Sequence, residues 1–158
     1  MKLRPAVEHL HGSVTDLVED LRTTAERYAA DQDVYHLGHA LSEKYQGLAD
    51  RLAKEIGKEG DDGGPGAVSE LGERMRRATS NALAGTDKTG PLLLRDLRAL
   101  YLEAQETEID WTIVSQGAKA ARERTLIELC TEGMTETEIV VRWLKTRIKE
   151  TAPQVLVT

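Results

Sequence analysis

The residues best suited to chemistry are carboxylates, histidines and one cysteine. On a helical projection of about 100° per residue, Glu108 falls about 40° from Ala104, inside an apolar stripe. A carboxylate there is costly unless it is paired, hydrogen-bonded or bound to a cation. Glu108 therefore reads either as a metal-bridging or proton-handling group, or as a flank carboxylate that reaches solvent or an arginine. Glu103 and Asp110 lie roughly 100–120° around the same helix, on its flank. Glu103 is the second candidate metal ligand. Iron, manganese or zinc are the metals such a carboxylate site would suit.

His36, His39 and Glu43 share one face at spacings of three and four. That is a metal-like pattern, but the face lies about 160° from Leu41, opposite the apolar stripe. The expectation is an outward surface cluster. His9 and His11 fall on different faces near the start of the chain and signal little. Cys130 stands between Glu128 and Glu132, which disfavours a reactive thiolate, and it reads as a small core residue. No Gly-x-Ser-x-Gly, phosphate-binding loop, dinucleotide fingerprint or Cys-x-x-Cys pair occurs. No catalytic residue is assigned.

Composition narrows the classes further. The 158 residues carry a net charge of −6, with 40% hydrophobic and 30% charged residues and no Phe. An acidic chain is a poor match for nucleic acid or an anionic membrane. No apolar run approaches the roughly 20 residues that span a bilayer. The first residues turn polar without a signal-peptide core, and a lone cysteine makes no internal disulfide. A cytoplasmic location and no resident cofactor are the expectations.

The elements that must hold these residues are helices. Leu10, Val14, Leu17, Leu21, Thr24 and Tyr28 recur every three or four positions, which predicts a helix over 5–29. Asp31 or Asp33 can cap a second helix over 33–57, with Val34, Leu37, Leu41, Tyr45, Leu48, Leu52 and Ile56 inward. The short link between them predicts an antiparallel hairpin. Residues 57–66 hold five glycines and a proline, which predicts a loop. A short helix over 67–84 and a second loop over 85–90 follow. The Arg74-Met75-Arg76-Arg77 run on that short helix is either a solvated face or a docking patch for an acidic partner.

A third long helix is expected over 91–116, with Leu93, Leu97, Leu100, Ala104, Thr107, Trp111 and Val114 inward. Leu102, Ile109 and Ile113 make a second apolar row nearly opposite, which predicts burial from two directions. The second partner is either the short helix or another subunit. The C-terminal third divides into helices over 118–131 and 136–151. Gly133 serves as a helix stop and Thr135 with Glu138 as a capping box. Against a full break, Leu126, Cys130, Gly133, Thr137 and Val140 stay in helical phase. Ser115-Gln116-Gly117 is the other candidate turn, and Pro153 is expected to stop the last helix.

Two helices, a glycine-rich crossover and two more helices resemble the ferritin-like four-helix bundles, including small bacterial members of unknown function. The resemblance implies an all-α, antiparallel four-helix bundle with one or two additional short helices. Such proteins typically place a Glu on each of two helices and Glu-x-x-His on the other two. No Glu-x-x-His occurs here, and Glu108 stands for a lone third-helix carboxylate. The resemblance thus implies fold more than activity. The expected function is self-association, as a homo-oligomer or with another protein. The alternative is a metal-binding oxidase or storage protein with a non-standard carboxylate site. A small-ligand carrier is a third reading.

Overall fold

A computed structural model describes residues 2–58 and 90–157 of the chain. Within them are four long helices: α1 (Leu3–Arg27), α2 (Gln32–Lys58), α3 (Gly90–Ala121) and α4 (Arg124–Leu156). No strand occurs among the described residues. The expected loop residues 59–66, the short helix over 67–84 with its Arg74–Arg77 run, and the second loop up to residue 89 lie outside them.

Each helix buries the stripe that its spacing marks. In α1, Leu10, Val14, Leu17, Leu21 and Thr24 are buried, and Tyr28 closes the helix by donating its backbone N–H to Thr24 O at 3.1 Å. Asp31 caps α2: its Oδ1 accepts the Val34 N–H at 3.2 Å. The α2 stripe departs from expectation at one place. Leu37 is 40% exposed, and Gly38 is buried instead. A Cβ on Gly38 would come within 2.9 Å of Ala25 Cβ. The two backbones therefore meet at Gly38, and the crossing turns Leu37 outward.

The C-terminal half corrects the sequence reading at several points. Neither Ser115-Gln116-Gly117 nor residues 132–135 breaks the chain, and the separate helices expected over 118–131 and 136–151 are one helix, α4. Gly117 and Gly133 are small because a neighbour needs the space. An added Cβ would meet Leu3 Cδ1 at 2.9 Å in the first case and the Trp111 ring in the second. Thr135 does not cap: its hydroxyl donates back to Thr131 O at 3.0 Å, within the helix. Pro153 does not stop α4 either, since the helix runs three residues further, to Leu156. Its ring sits in the last turn, where one lost N–H interrupts little.

The link between α3 and α4 is only Arg122-Glu123. The Glu123 N–H reaches Ala118 O at 3.0 Å and the Arg122 N–H reaches Lys119 O at 3.2 Å. That pair of bonds is a Schellman stop, whose left-handed position is usually glycine. Here Arg122 occupies it, with φ of 59°.

Helix α3 packs mainly on α4 and α1 on α2, while contacts of α1 with α3 and of α2 with α4 close a ring. Leu17, Leu21, Leu52, Leu97, Leu129, Leu144 and Trp111 fill its centre, essentially without exposure. Burying each such side chain contributes roughly 1.5–3 kcal/mol. Polar pairs set the register between helices. Ser13 donates to Asp110 at 2.7 Å and Tyr28 to Asp96 at 2.6 Å. Arg51 donates to Glu132. Arg147 reaches Asp31 at 2.7 Å, tying the α1–α2 turn to α4.

Candidate functional site

The third helix, α3, carries Glu103, Glu108, Asp110 and the row of Leu102, Ile109 and Ile113. Its inner stripe of Leu97, Leu100, Ala104, Thr107, Trp111 and Val114 is buried. That commitment fixes what every other position on α3 can face.

Glu108 lies at the edge of the buried stripe and is half-buried. Its charge helps to raise the Tyr45 pKa, so the carboxylate sits near the core without entering it. Glu103 is also half-buried. Among the described residues, no three His, Cys, Asp or Glu side chains converge to hold a metal ion. Asp110, the third flank carboxylate, accepts from Ser13 at 2.7 Å and lies 3.4 Å from His9 Nε2.

His36 and Glu43 are exposed on α2. His39 is half-buried, and its Nε2 lies 2.7 Å from Glu26 Oε1 on α1. The Tyr35 ring meets both imidazoles edge-on, with centroids 5.2 Å from His36 and 4.8 Å from His39. Tyr35 and Glu26 thus engage the histidines, and Glu43 is left in solvent.

Cys130 is fully buried. Burial pushes its thiol up to about 11, which Lys119 only partly offsets. A thiol so held is a packing group rather than a nucleophile.

A buried polar chain at the centre was missed by sequence reasoning. Trp111 donates its indole N–H to Tyr45 Oη at 2.9 Å, and Thr137 donates to Gly133 O at 2.6 Å. Tyr45 and Thr137 are bonded to each other. Because the Thr137 proton is committed to Gly133, Tyr45 must be the donor in that pair. All three donors are therefore satisfied in a core that excludes water. Burial holds the Tyr45 phenol up at about 12, so it stays neutral. The chain serves to set register and has no exposed reacting atom. The only sequence signal for it was a Tyr, a Trp and a Thr each standing in an apolar stripe.

The outer face of α3 is the unusual surface. Leu102, Ile109 and Ile113 are 49%, 61% and 57% exposed, so the described residues leave the second apolar row largely uncovered. Their spacings of seven and four put them within about 40° of one another. Arg98 and Glu106, both exposed, fall on the same strip on either side of Leu102. The face therefore reads cation, apolar, anion, apolar, apolar along one line. Single exposed leucines are ordinary, but a row of three large aliphatics on one helix is the kind of patch that binds protein.

No helix among the described residues is long and apolar enough to cross a membrane. Comparison of the chain with protein-family models, with curated proteins and with solved structures gives no match.

Proposed function

We propose that this chain is an antiparallel, ferritin-like four-helix bundle that acts in the cytoplasm by self-association through the outer face of α3, not by catalysis. The antiparallel arrangement is supported by the polar pairs. Residue numbers fall along α3 as they rise along α1, from Ser13–Asp110 to Tyr28–Asp96. They do the same for α2 and α4, from Tyr45–Thr137 to Arg51–Glu132.

The observation that carries the function is the exposure of Leu102, Ile109 and Ile113. A second copy of the chain is the partner favoured by charge. Arg98 and Glu106 are each four residues from Leu102, with opposite sign. Two α3 helices crossing about a twofold axis at Leu102 place Arg98 of each copy against Glu106 of the other. An isologous interface requires this kind of self-complementarity.

Sedimentation equilibrium tests the proposal. The wild-type chain is expected to dimerise at micromolar concentration. Leu102→Glu and Ile113→Glu should each weaken the dimer by about 2 kcal/mol, roughly thirtyfold in Kd. Arg98→Glu should weaken it as well, and adding Glu106→Arg to that variant should restore it. A wild-type chain that stays monomeric, or a charge swap that restores nothing, refutes the reading.

A further inference from the structure

We propose that the cleft between the end of α3 and the start of α4 binds a small phosphate-bearing molecule. The cleft is open, has a volume of about 530 Å³, and is lined by Lys119, Arg122, Arg124, Ile127 and Glu128. Three of its five walls are cationic. This is notable in a chain of net charge −6.

Arg4, Arg27, Arg51, Arg95, Arg142 and Arg147 each hold a carboxylate in an ion pair. No carboxylate among the described residues pairs with Lys119, Arg122 or Arg124, although Glu123 and Glu128 are close in sequence. Lys119, Arg122 and Arg124 are exposed and line one open cleft, so together they offer an anion a cationic surface. Guanidinium groups match phosphate oxygens in paired, forked geometry, which selects phosphate over a halide. Ile127 adds an apolar wall and Glu128 an acceptor, features suited to an organic phosphate with a hydroxyl group.

The backbone points the same way. Arg122 stands in the left-handed position of the α3 stop, with φ of 59°, where glycine is the unstrained choice. A side chain kept where its backbone is strained is accounted for if the side chain itself has work to do. The surrounding end of the bundle adds to the field. Leu3 of α1 packs on Gly117, and Arg51 near the end of α2 reaches Glu132 of α4, which brings these segments together. Residues 2–9, 51–58 and 116–132 carry eight basic and five acidic side chains. Among the described residues, the cleft therefore lies at an end where basic side chains outnumber acidic ones.

Pyrophosphate is the probe, followed by calorimetric titration and by thermal melting against sodium chloride at matched ionic strength. The wild-type chain should bind with measurable heat and melt at a higher temperature than in chloride. Arg122→Gly is the informative variant, because it removes a charge and relieves the backbone at once. It should melt no lower than wild type in chloride, yet bind pyrophosphate about tenfold more weakly or worse. Arg124→Gln should weaken binding in the same direction without the gain in stability. Absence of heat with the wild-type chain at millimolar pyrophosphate overturns the proposal. So does an equal rise in melting temperature with chloride, or an Arg122→Gly variant that binds as well as wild type.

Discussion

Replacing Gly133 by alanine isolates the role of close approach between α3 and α4. In an exposed helix the change would stabilise by roughly 0.5–1 kcal/mol, since alanine has the higher helix propensity. Here the new methyl would stand 2.5 Å from Trp111 Cε2 and Cη2, and closer still to Cζ2. Ordinary contact needs about 3.5 Å or more, so roughly 1 Å of movement is required. Trp111 has little freedom to give. Its ring is fully buried and its N–H is held by Tyr45 at 2.9 Å. Overpacking costs about 1–3 kcal/mol, and a loosened Trp111–Tyr45 hydrogen bond adds about 1 kcal/mol. After the propensity gain, the expected net loss is about 2–3 kcal/mol. For a chain of this size that is a fall in Tm of about 5–10 °C. Thermal and urea unfolding followed by circular dichroism measure it directly. Gly47→Ala is the control: that residue is helical and exposed, with nothing within 4 Å of a new Cβ. It should gain the propensity term alone. A second test is a double-mutant cycle with Trp111→Leu, which removes the ring and should make Gly133→Ala less costly. If Gly133→Ala is as stable as wild type, or gains as Gly47→Ala does, the packing argument is wrong.

Two further predictions concern titration. Tyr28 and Tyr45 both have pKa values raised from 10.0 to about 12, in each case chiefly by burial. Raised phenol pKa values favour the neutral, folded form, so their contribution is complete below pH 10 and is lost as pH climbs toward 12. Absorbance at alkaline pH should show these two tyrosines ionising late, together with unfolding; Tyr45→Phe should remove one late phenol and, by stranding the Trp111 N–H, cost about 1–3 kcal/mol. At Asp96, burial raises the pKa, but hydrogen bonds from Tyr28, Arg27 and Arg95 outweigh it and hold the carboxyl below its ordinary range. A depressed pKa contributes stability that is present at neutral pH and lost as pH falls through the folded-state value. Asp96→Asn should therefore destabilise the chain at neutral pH and flatten its acid unfolding profile, and an unchanged profile would show that Asp96 does not link α1 to α3 energetically.

What a single helix requires of its own residues was legible, and what two helices require of each other was not. The stripe from Leu10 to Thr24 is a property of α1 alone, because any partner must cover it, and it is buried as its spacing demands. The glycines are the opposite case. Gly117 and Gly133 carry turn signals in the sequence, and Gly38 falls inside an expected helix with nothing to mark it. All three lie within helices, matched to Leu3, Trp111 and Ala25 on a different element. The matching residue lies 13 to 114 positions away, so no local pattern contains it. The true link at 122–123 was hidden for the complementary reason, since its left-handed residue is arginine and carries no turn signal. The Trp111–Tyr45–Thr137 chain belongs to the same class: each member is an ordinary stripe residue, and only the register of α2 and α3 against α4 makes them a network. The outer row of α3 reverses the inference. Leu102, Ile109 and Ile113 were legible as apolar and aligned, yet the described part of the chain does not cover them. A pattern that the described helices leave exposed is the ground of the proposed association, and that is why sedimentation of the Leu102→Glu variant tests the proposal more sharply than it tests the fold.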